Sequence, residues 1–147
     1  MARSVFFSFH YQKDVWRVNQ IRNLHIVTGC AAAGFQDGSL WEEAKKKGDA
    51  AVKKLIDDGL VGTSVTVVLI GAETANRKYV GYEIQQSIAR GNGLLGIFIH
   101  NLKDQDGKTS IKGSVPAALV ASKAPVYDWD PAKFGEWVEA AAKKAGK

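Results

Sequence analysis

The run Val65–Ile70 limits the possible folds more than any other segment of this chain. Its residues, VTVVLI, are all apolar except Thr66, and most of them are β-branched. A strand with one face in water would alternate apolar and polar residues, so this run is typical of a parallel strand covered on both faces. Gly71 then turns the chain, and the next helix is predicted to start at Asn76, a suitable N-cap residue.

Strand and helix patterns alternate along the rest of the chain. Further strands are predicted at 4–9, 24–28, 94–99 and 124–127, and further helices at 14–23, 39–59, 115–122 and 130–145. Asp14 and Ser39 are the predicted N-caps of the first two helices. This alternation predicts an α/β three-layer sandwich with a five-stranded parallel sheet. In the flavodoxin-like strand order 2-1-3-4-5, ligands bind where strands one and three meet.

Length and composition are those of one ordinary domain, expected to cover residues 1–147. The chain has 46% hydrophobic and 24% charged residues, and no apolar run reaches the roughly 20 residues that span a bilayer. Its single cysteine, Cys30, excludes an internal disulfide, and the N-terminal residues do not resemble a signal peptide. We therefore predict a cytoplasmic protein that does not bind a membrane.

The net charge of +5 raises the question of a nucleic-acid partner. The lysines between 45 and 54 are interleaved with Glu42, Glu43 and Asp49 at helical spacings of four. That pattern is typical of a solvated helix face. We therefore predict no nucleic-acid partner.

Several segments resemble known motifs but lack the required context. GNGLLG at 91–96 spells a dinucleotide fingerprint, yet it precedes a strand, so it is predicted to end a helix and turn. DQDG at 104–107 has no closing glutamate for a calcium loop and is predicted to be a turn. The histidines His10, His25 and His100 do not have metal-ligand spacing. We therefore predict no metal and no bound cofactor.

Candidate functional residues gather where the predicted strands end. They are Phe9, His10, Gly71, Tyr79, Tyr82 and Glu83. The carboxyl ends of parallel strands share one edge, so these residues are predicted to meet around the Glu83 carboxylate. Taken singly, each also fits a structural role: rim packing for Phe9, a satisfied surface histidine for His10, and a solvated helix position for Glu83.

Four segments together carry a resemblance to a known family. They are VFFSFHYQKDVWRVNQIR at 5–22, GTSVTVVLIG at 62–71, RKYVGYEI at 77–84 and GIFIH at 96–100. In this order they resemble the TIR-like domain of the ThsB proteins of Thoeris anti-phage systems, over nearly the whole chain. The sequence has YVGYE at 79–83, where receptor TIR domains often have a Trp-Cys pair before the glutamate.

The resemblance implies a TIR fold and an activity. TIR enzymes take NAD as substrate and cleave its nicotinamide–ribose bond, and ThsB-like members make ADP-ribose-derived signals, predicted here to be cyclic, that activate a ThsA-type effector. The family's catalytic glutamate corresponds to Glu83, and the end of its first strand corresponds to Ser8, Phe9 and His10. Its flexible BB loop corresponds to about 29–39.

Two features of the predicted site bear on how it would work. Nicotinamide leaves NAD as a neutral molecule, so one carboxylate without a general acid is sufficient for the reaction.

The segment 29–38 is rich in Gly and Ala, which predicts a protein that is poorly active until self-association or a phage protein orders this loop. An ordinary mobile connection is the alternative explanation for that composition.

Other functions fit the same sequence. A TIR domain that acts only as an interaction module would share this fold, as would a flavodoxin-like nucleotide-binding domain. A phosphoryl receiver is disfavoured, because the first strand ends in Phe9-His10-Tyr11 instead of an acidic pair for magnesium.

Overall fold

A computed structural model describes residues 3–30 and 39–147. Its elements in chain order are β1 (Ser4–Ser8), α1 (Tyr11–Arg22), β2 (Thr28–Cys30), α2 (Ser39–Lys47), α3 (Asp49–Leu60), β3 (Val65–Ile70), α4 (Lys78–Ala89), β4 (Gly93–Phe98), α5 (Ala117–Ser122), β5 (Val126–Asp128) and α6 (Phe134–Lys144). The strands form one parallel sheet in the order β2-β1-β3-β4-β5. This confirms the predicted flavodoxin-like α/β fold and its strand order.

Strand β3 occupies the centre of the sheet, as its sequence predicts. It pairs with β1 from Val65 opposite Val5 to Val68 opposite Ser8, and with β4 along its whole length. Every residue of β3 is buried. The bounds of the buried strand therefore coincide with those of the apolar run.

The helices cover both faces of the sheet. Helices α1 and α6 pack on one face, where Ile21 and Phe134 contact β-strand residues such as Val67. Helices α2, α3, α4 and α5 lie on the other face, which buries Phe6 of β1 and Ile84 of α4. Successive strand residues point to opposite faces, so Ser8 points to the same side as Phe6, toward α4.

The start of α1 differs from the prediction. The helix begins at Tyr11 with His10 at the N-cap, and Asp14 lies buried within the first turn instead of capping it. The Asp14 carboxylate is held there by the Arg17 guanidinium at 3.1 Å. An arginine one turn away thus explains why this aspartate lies inside the helix.

The second strand and the second helix also differ from the prediction. Strand β2 lies at Thr28–Cys30, because the chain first makes a turn in which His25 has φ 55°. The predicted helix at 39–59 is two helices, broken at Gly48, whose φ of 114° no α-helix contains.

Smaller differences occur at other element boundaries. Asn76, the predicted N-cap, belongs to a 3-10 turn at Thr74–Asn76, and α4 begins two residues later. Ile88, which its spacing of four residues from Ile84 and of eight from Val80 predicts to be buried, is 50% exposed. Strand β1 ends at Ser8 instead of Phe9, and α6 begins at Phe134 instead of 130.

Residues 91–92 and 104–107 of the motif-like segments form turns, as predicted, whereas residues 93–96 already belong to β4. Gly91 ends α4 with φ 76°, and one Asp104 carboxylate oxygen accepts hydrogen bonds from the backbone N–H groups of Asp106 and Lys108. Most of the predicted BB loop, residues 31–38, lies outside the described residues, as does the side chain of Ser39, a predicted N-cap. No helix among residues 3–30 and 39–147 is long and apolar enough to cross a membrane.

Candidate active site

A cavity of about 300 Å³ lies beside the carboxyl end of β1. It is bounded by the starts of α1 and α4 and by one side of α2. Its lining residues are Phe7, Phe9, His10, Tyr11, Gln12, Trp41, Lys45, Asn76, Arg77, Lys78, Tyr79, Val80 and Glu83. The cavity therefore lies at the sheet edge that the sequence indicates, beside the switch between β1 and β3.

Glu83 brings a carboxyl group to this cavity from the second turn of α4. The residue is only 5% exposed, and one of its oxygens accepts a hydrogen bond of 2.7 Å from the Ser8 hydroxyl. Within residues 3–30 and 39–147, Glu83 forms no salt bridge. A buried carboxyl without a cationic partner is unusual, and at a cavity it makes Glu83 the candidate functional group.

Burial changes the protonation of this group. It raises the pKa of Glu83 to about 8, against a smaller opposing effect from the Ser8 hydrogen bond. At pH 7 most molecules with an empty cavity therefore carry a neutral Glu83. A cationic group placed beside the carboxyl would restore its charge.

His10 and Phe9 form the side of the cavity next to β1. His10 is 6% exposed, and its burial, followed by the nearby Arg77 charge, lowers the pKa of the imidazole. His10 is therefore neutral at neutral pH and offers a hydrogen-bonding group without a charge. The Phe9 ring is buried and lies 6.4 Å from the Tyr11 ring.

An aromatic pair forms the opposite wall. The Trp41 ring meets the Tyr79 ring edge to face, with centroids 5.5 Å apart. The Tyr79 hydroxyl donates a hydrogen bond of 2.7 Å to Asp49, at the start of α3. The wall thus combines residues from α2 and α4, and α3 supports it from behind.

Two helix N-termini point at the cavity, and neither has a side-chain cap. His10 and Arg77 occupy the N-cap positions of α1 and α4, and neither side chain hydrogen-bonds the helix amides. Both residues line the cavity with the first two residues of their helices, and Lys45 lies nearby. The N-terminal end of a helix and basic side chains are suited to binding an anion such as a phosphate.

Three predicted site residues do not line the cavity. Ser8 is fully buried behind Glu83 and contacts its carboxyl. Gly71 packs against the Asp14 carboxylate, leaving no room for a side chain. Tyr82 faces α3, where its hydroxyl donates to Asp57 and Lys53 lies over its ring. Phe9, His10, Tyr79 and Glu83 do meet at the cavity, as predicted.

Several lining residues are not identified by the sequence argument. Trp41 has the spacing of a core-facing helix residue, which hides its position on the cavity wall. Arg77 immediately precedes α4, and Lys78 is its first residue. A basic pair beside a predicted helix start is the sequence feature that could have identified them. Within the described part of the chain, no three His, Cys, Asp or Glu residues are placed to hold a metal ion.

Comparisons with known proteins identify the family of this chain. A family model described as "Thoeris protein ThsB, TIR-like domain" matches residues 6–104. A relative from Bacillus cereus (strain MSX-D12), named "Putative cyclic ADP-D-ribose synthase ThsB1", is 46% identical over an alignment of 151 positions that covers 96% of this chain and 78% of the relative. With the parallel sheet in its flavodoxin-like order, these matches show that the chain belongs to the ThsB family of TIR-like proteins from Thoeris systems.

Proposed function

We propose that this protein cleaves NAD at the nicotinamide–ribose bond and converts the remainder into an ADP-ribose-derived, cyclic signal. The observation that carries the proposal is the Glu83 carboxyl, buried at a cavity without a cationic partner among the described residues. A ligand that brings its own positive charge would complete this site. The name of the Bacillus cereus relative is that of a synthase of such a product.

The chemistry requires little from the protein. When the bond between the ribose C1′ and the pyridinium nitrogen breaks, both electrons leave with nicotinamide, which departs as a neutral molecule. Positive charge develops on the ribose, and the Glu83 carboxylate stabilises it in the transition state. No general acid is needed, because the leaving group takes no proton.

The protonation of Glu83 favours a cationic substrate. With the cavity empty, burial keeps this carboxyl mostly neutral at pH 7. The nicotinamide ring of oxidised NAD carries a positive charge, and its approach lowers the pKa of the carboxyl and favours the ionised form. The neutral ring of reduced NAD lacks this effect, so we expect it not to be a substrate.

The other lining residues provide groups for the rest of the dinucleotide. The uncapped N-termini of α1 and α4, with the Arg77 guanidinium beside them, would hold the pyrophosphate. Trp41 and Tyr79 offer aromatic surfaces for a ring of the substrate.

The fate of the ribosyl cation decides the product. Attack by water on C1′ gives linear ADP-ribose and one proton. Attack by a nitrogen of the substrate's own adenine gives a cyclic product and one proton, and this path requires that water be kept out. The cyclic product would then act as a diffusible signal for a ThsA-type effector, with self-association or a phage protein as the trigger of activity.

The direct test is to incubate the purified protein with NAD and to measure nicotinamide release together with product mass. The matched control is Glu83→Gln, which is nearly isosteric and removes the charge. We expect wild-type turnover and a loss of about 100-fold or more in the variant. A folded Glu83→Gln protein that cleaves NAD at the wild-type rate would contradict the proposal. A wild type that remains inactive after assembly and with the phage trigger would support the interaction-module alternative.

A further inference from the structure

Asp49 forms a hub behind the aromatic wall of the cavity. It is the first residue of α3, directly after the break at Gly48. One of its carboxylate oxygens accepts hydrogen bonds from the Tyr79 hydroxyl at 2.7 Å and from the Lys78 ammonium at 2.9 Å. The Lys53 ammonium lies 3.1 Å from the other oxygen. One carboxylate therefore joins α3 to the first turn of α4.

The partners of Asp49 belong to the site, although Asp49 itself does not line the cavity. Tyr79 and Lys78 both line it, and the Tyr79 ring is held edge-on against Trp41 of α2. The Lys78 ammonium also lies 5.3 Å from the centre of the Tyr79 ring. The contact with Asp49 thus fixes the tyrosine at its hydroxyl end, while Trp41 contacts its ring.

The electrostatics of the hub are consistent with this arrangement. The donor contacts, first from Lys78 and then from Tyr79, hold the pKa of the Asp49 carboxyl well below its usual range. The same carboxylate raises the pKa of the Tyr79 hydroxyl, which therefore stays protonated and able to donate. Both groups thus keep the protonation states that this hydrogen bond requires over the whole physiological pH range.

We propose that Asp49 is a positioning residue, which holds the Tyr79 ring against Trp41 and so sets how much cleaved substrate is captured internally instead of by water. This inference rests on the function proposed above. A ring that is free to rotate away from Trp41 would open the wall to water at the moment when C1′ is cationic. Linear ADP-ribose would then increase at the expense of the cyclic product, while bond cleavage at Glu83 would continue.

The test uses variants that separate the hydrogen bond from the charge. Asp49→Ala removes all contacts of the hub, whereas Asp49→Asn keeps an oxygen that can accept from Tyr79. Tyr79→Phe removes the same hydrogen bond from the other side and keeps the ring. The matched control is Asp58→Ala, because Asp58 lies near the end of α3 and pairs only with Lys54 among the contacts described.

The measurement is the ratio of cyclic to linear product, together with total NAD consumption. We expect Asp49→Ala and Tyr79→Phe each to lower the ratio by about two- to tenfold, the effect of losing one hydrogen bond. The double variant should show no further loss, since both changes remove the same contact. Asp49→Asn should recover most of the ratio, and Asp58→Ala should leave it unchanged.

The outcomes distinguish a failure of the proposed function from a failure of the role of Asp49. If the wild type consumes no NAD even after assembly and with the phage trigger, both the function and this inference are overturned. If it gives only linear product, NAD cleavage stands, but the cyclic product and this inference are overturned. If the wild type makes cyclic product and Asp49→Ala keeps its ratio, only the role of Asp49 is overturned. Additive effects in the double variant would likewise contradict it, because they would show that Asp49 does not act through Tyr79.

Discussion

The Ser8 hydroxyl donates a 2.7 Å hydrogen bond to the Glu83 carboxyl, and both residues are buried. Ser8 ends the first strand and Glu83 lies in the helix that follows the third, so the contact spans the two strands at the switch point. It is the described hydrogen bond that opposes the effect of burial on this carboxyl. Ser8 therefore acts on the pKa of Glu83 from behind the cavity.

The rate of NAD cleavage should rise with pH as Glu83 ionises. In the free protein, kcat/KM should increase with a midpoint near pH 8, the value to which burial raises the Glu83 pKa. Ser8→Ala removes a hydrogen bond that favours the charged form, so its midpoint should move up by about one pH unit. The measurement is the pH profile of initial rates at low NAD concentration.

Ser87→Ala is the matched control for this profile. Ser87 is a buried serine on the same helix, but its hydroxyl donates to the Glu83 main-chain carbonyl and contacts Thr66 instead of the carboxyl. Its midpoint should equal that of the wild type. Equal shifts in the two serine variants would mean that the midpoint moves because packing around Glu83 is lost, and not because the Ser8 hydrogen bond is removed.

Stability should also depend on pH through Glu83. The folded-state pKa of about 8 lies above the reference value of 4.5, so the unfolded chain loses its proton first as the pH rises. The contribution of Glu83 to the free energy of unfolding therefore falls between about pH 5 and pH 8 and levels off above the folded-state pKa.

Glu83→Gln has no proton to lose, so it should become more stable than the wild type across this window. The difference should reach about 4 kcal/mol at pH 8. The raised pKa of buried Asp14 and the lowered pKa of buried His10 contribute to both proteins and cancel in this difference. Urea denaturation of both proteins at pH 5 and pH 8 measures the difference in their free energies of unfolding. If this difference is the same at both pH values, the pKa of Glu83 is not raised in the folded protein.

The fold was predictable because its strongest signals are local. The buried run of β3 and the alternation of strands and helices specify a parallel sheet, and the structure has it in the predicted order. The errors occur where tertiary contacts override local preference. Asp14 fits an N-cap by type, yet the structure buries it beside Arg17, and the 39–59 pattern continues through Gly48, where the chain breaks the helix.

The site was predictable only in part. Strand ends and a helix carboxylate indicate where Phe9, His10 and Glu83 meet, because the sheet topology alone brings them together. Residues such as Trp41 reach the cavity through the packing of α2 against α4, which no local pattern encodes. Tyr82 shows the converse, since it is close to Glu83 in sequence but contacts Asp57 of α3.

His10 and Tyr82 should therefore differ in their effect on catalysis. His10 lines the cavity, so His10→Ala should lower product yield or increase the share of linear ADP-ribose in a folded protein. Tyr82→Phe removes only the hydroxyl that binds Asp57 and should keep the wild-type rate and product ratio. Chromatography of the products from both variants measures this, and equal effects would place Tyr82 at the substrate.

Arg77 should contribute to substrate binding more than to bond cleavage. Its side chain lines the cavity at the uncapped start of α4, where the helix amides also favour an anion. Arg77→Ala should raise the KM for NAD by about tenfold and change kcat little, because the pyrophosphate is bound equally in the ground and transition states. Added salt should weaken NAD binding less in the variant than in the wild type.

Arg90→Ala, at the opposite end of the same helix, is the matched control for Arg77→Ala and should leave KM unchanged. A similar rise in KM for both arginine variants would mean that overall charge, instead of a phosphate contact at Arg77, governs binding.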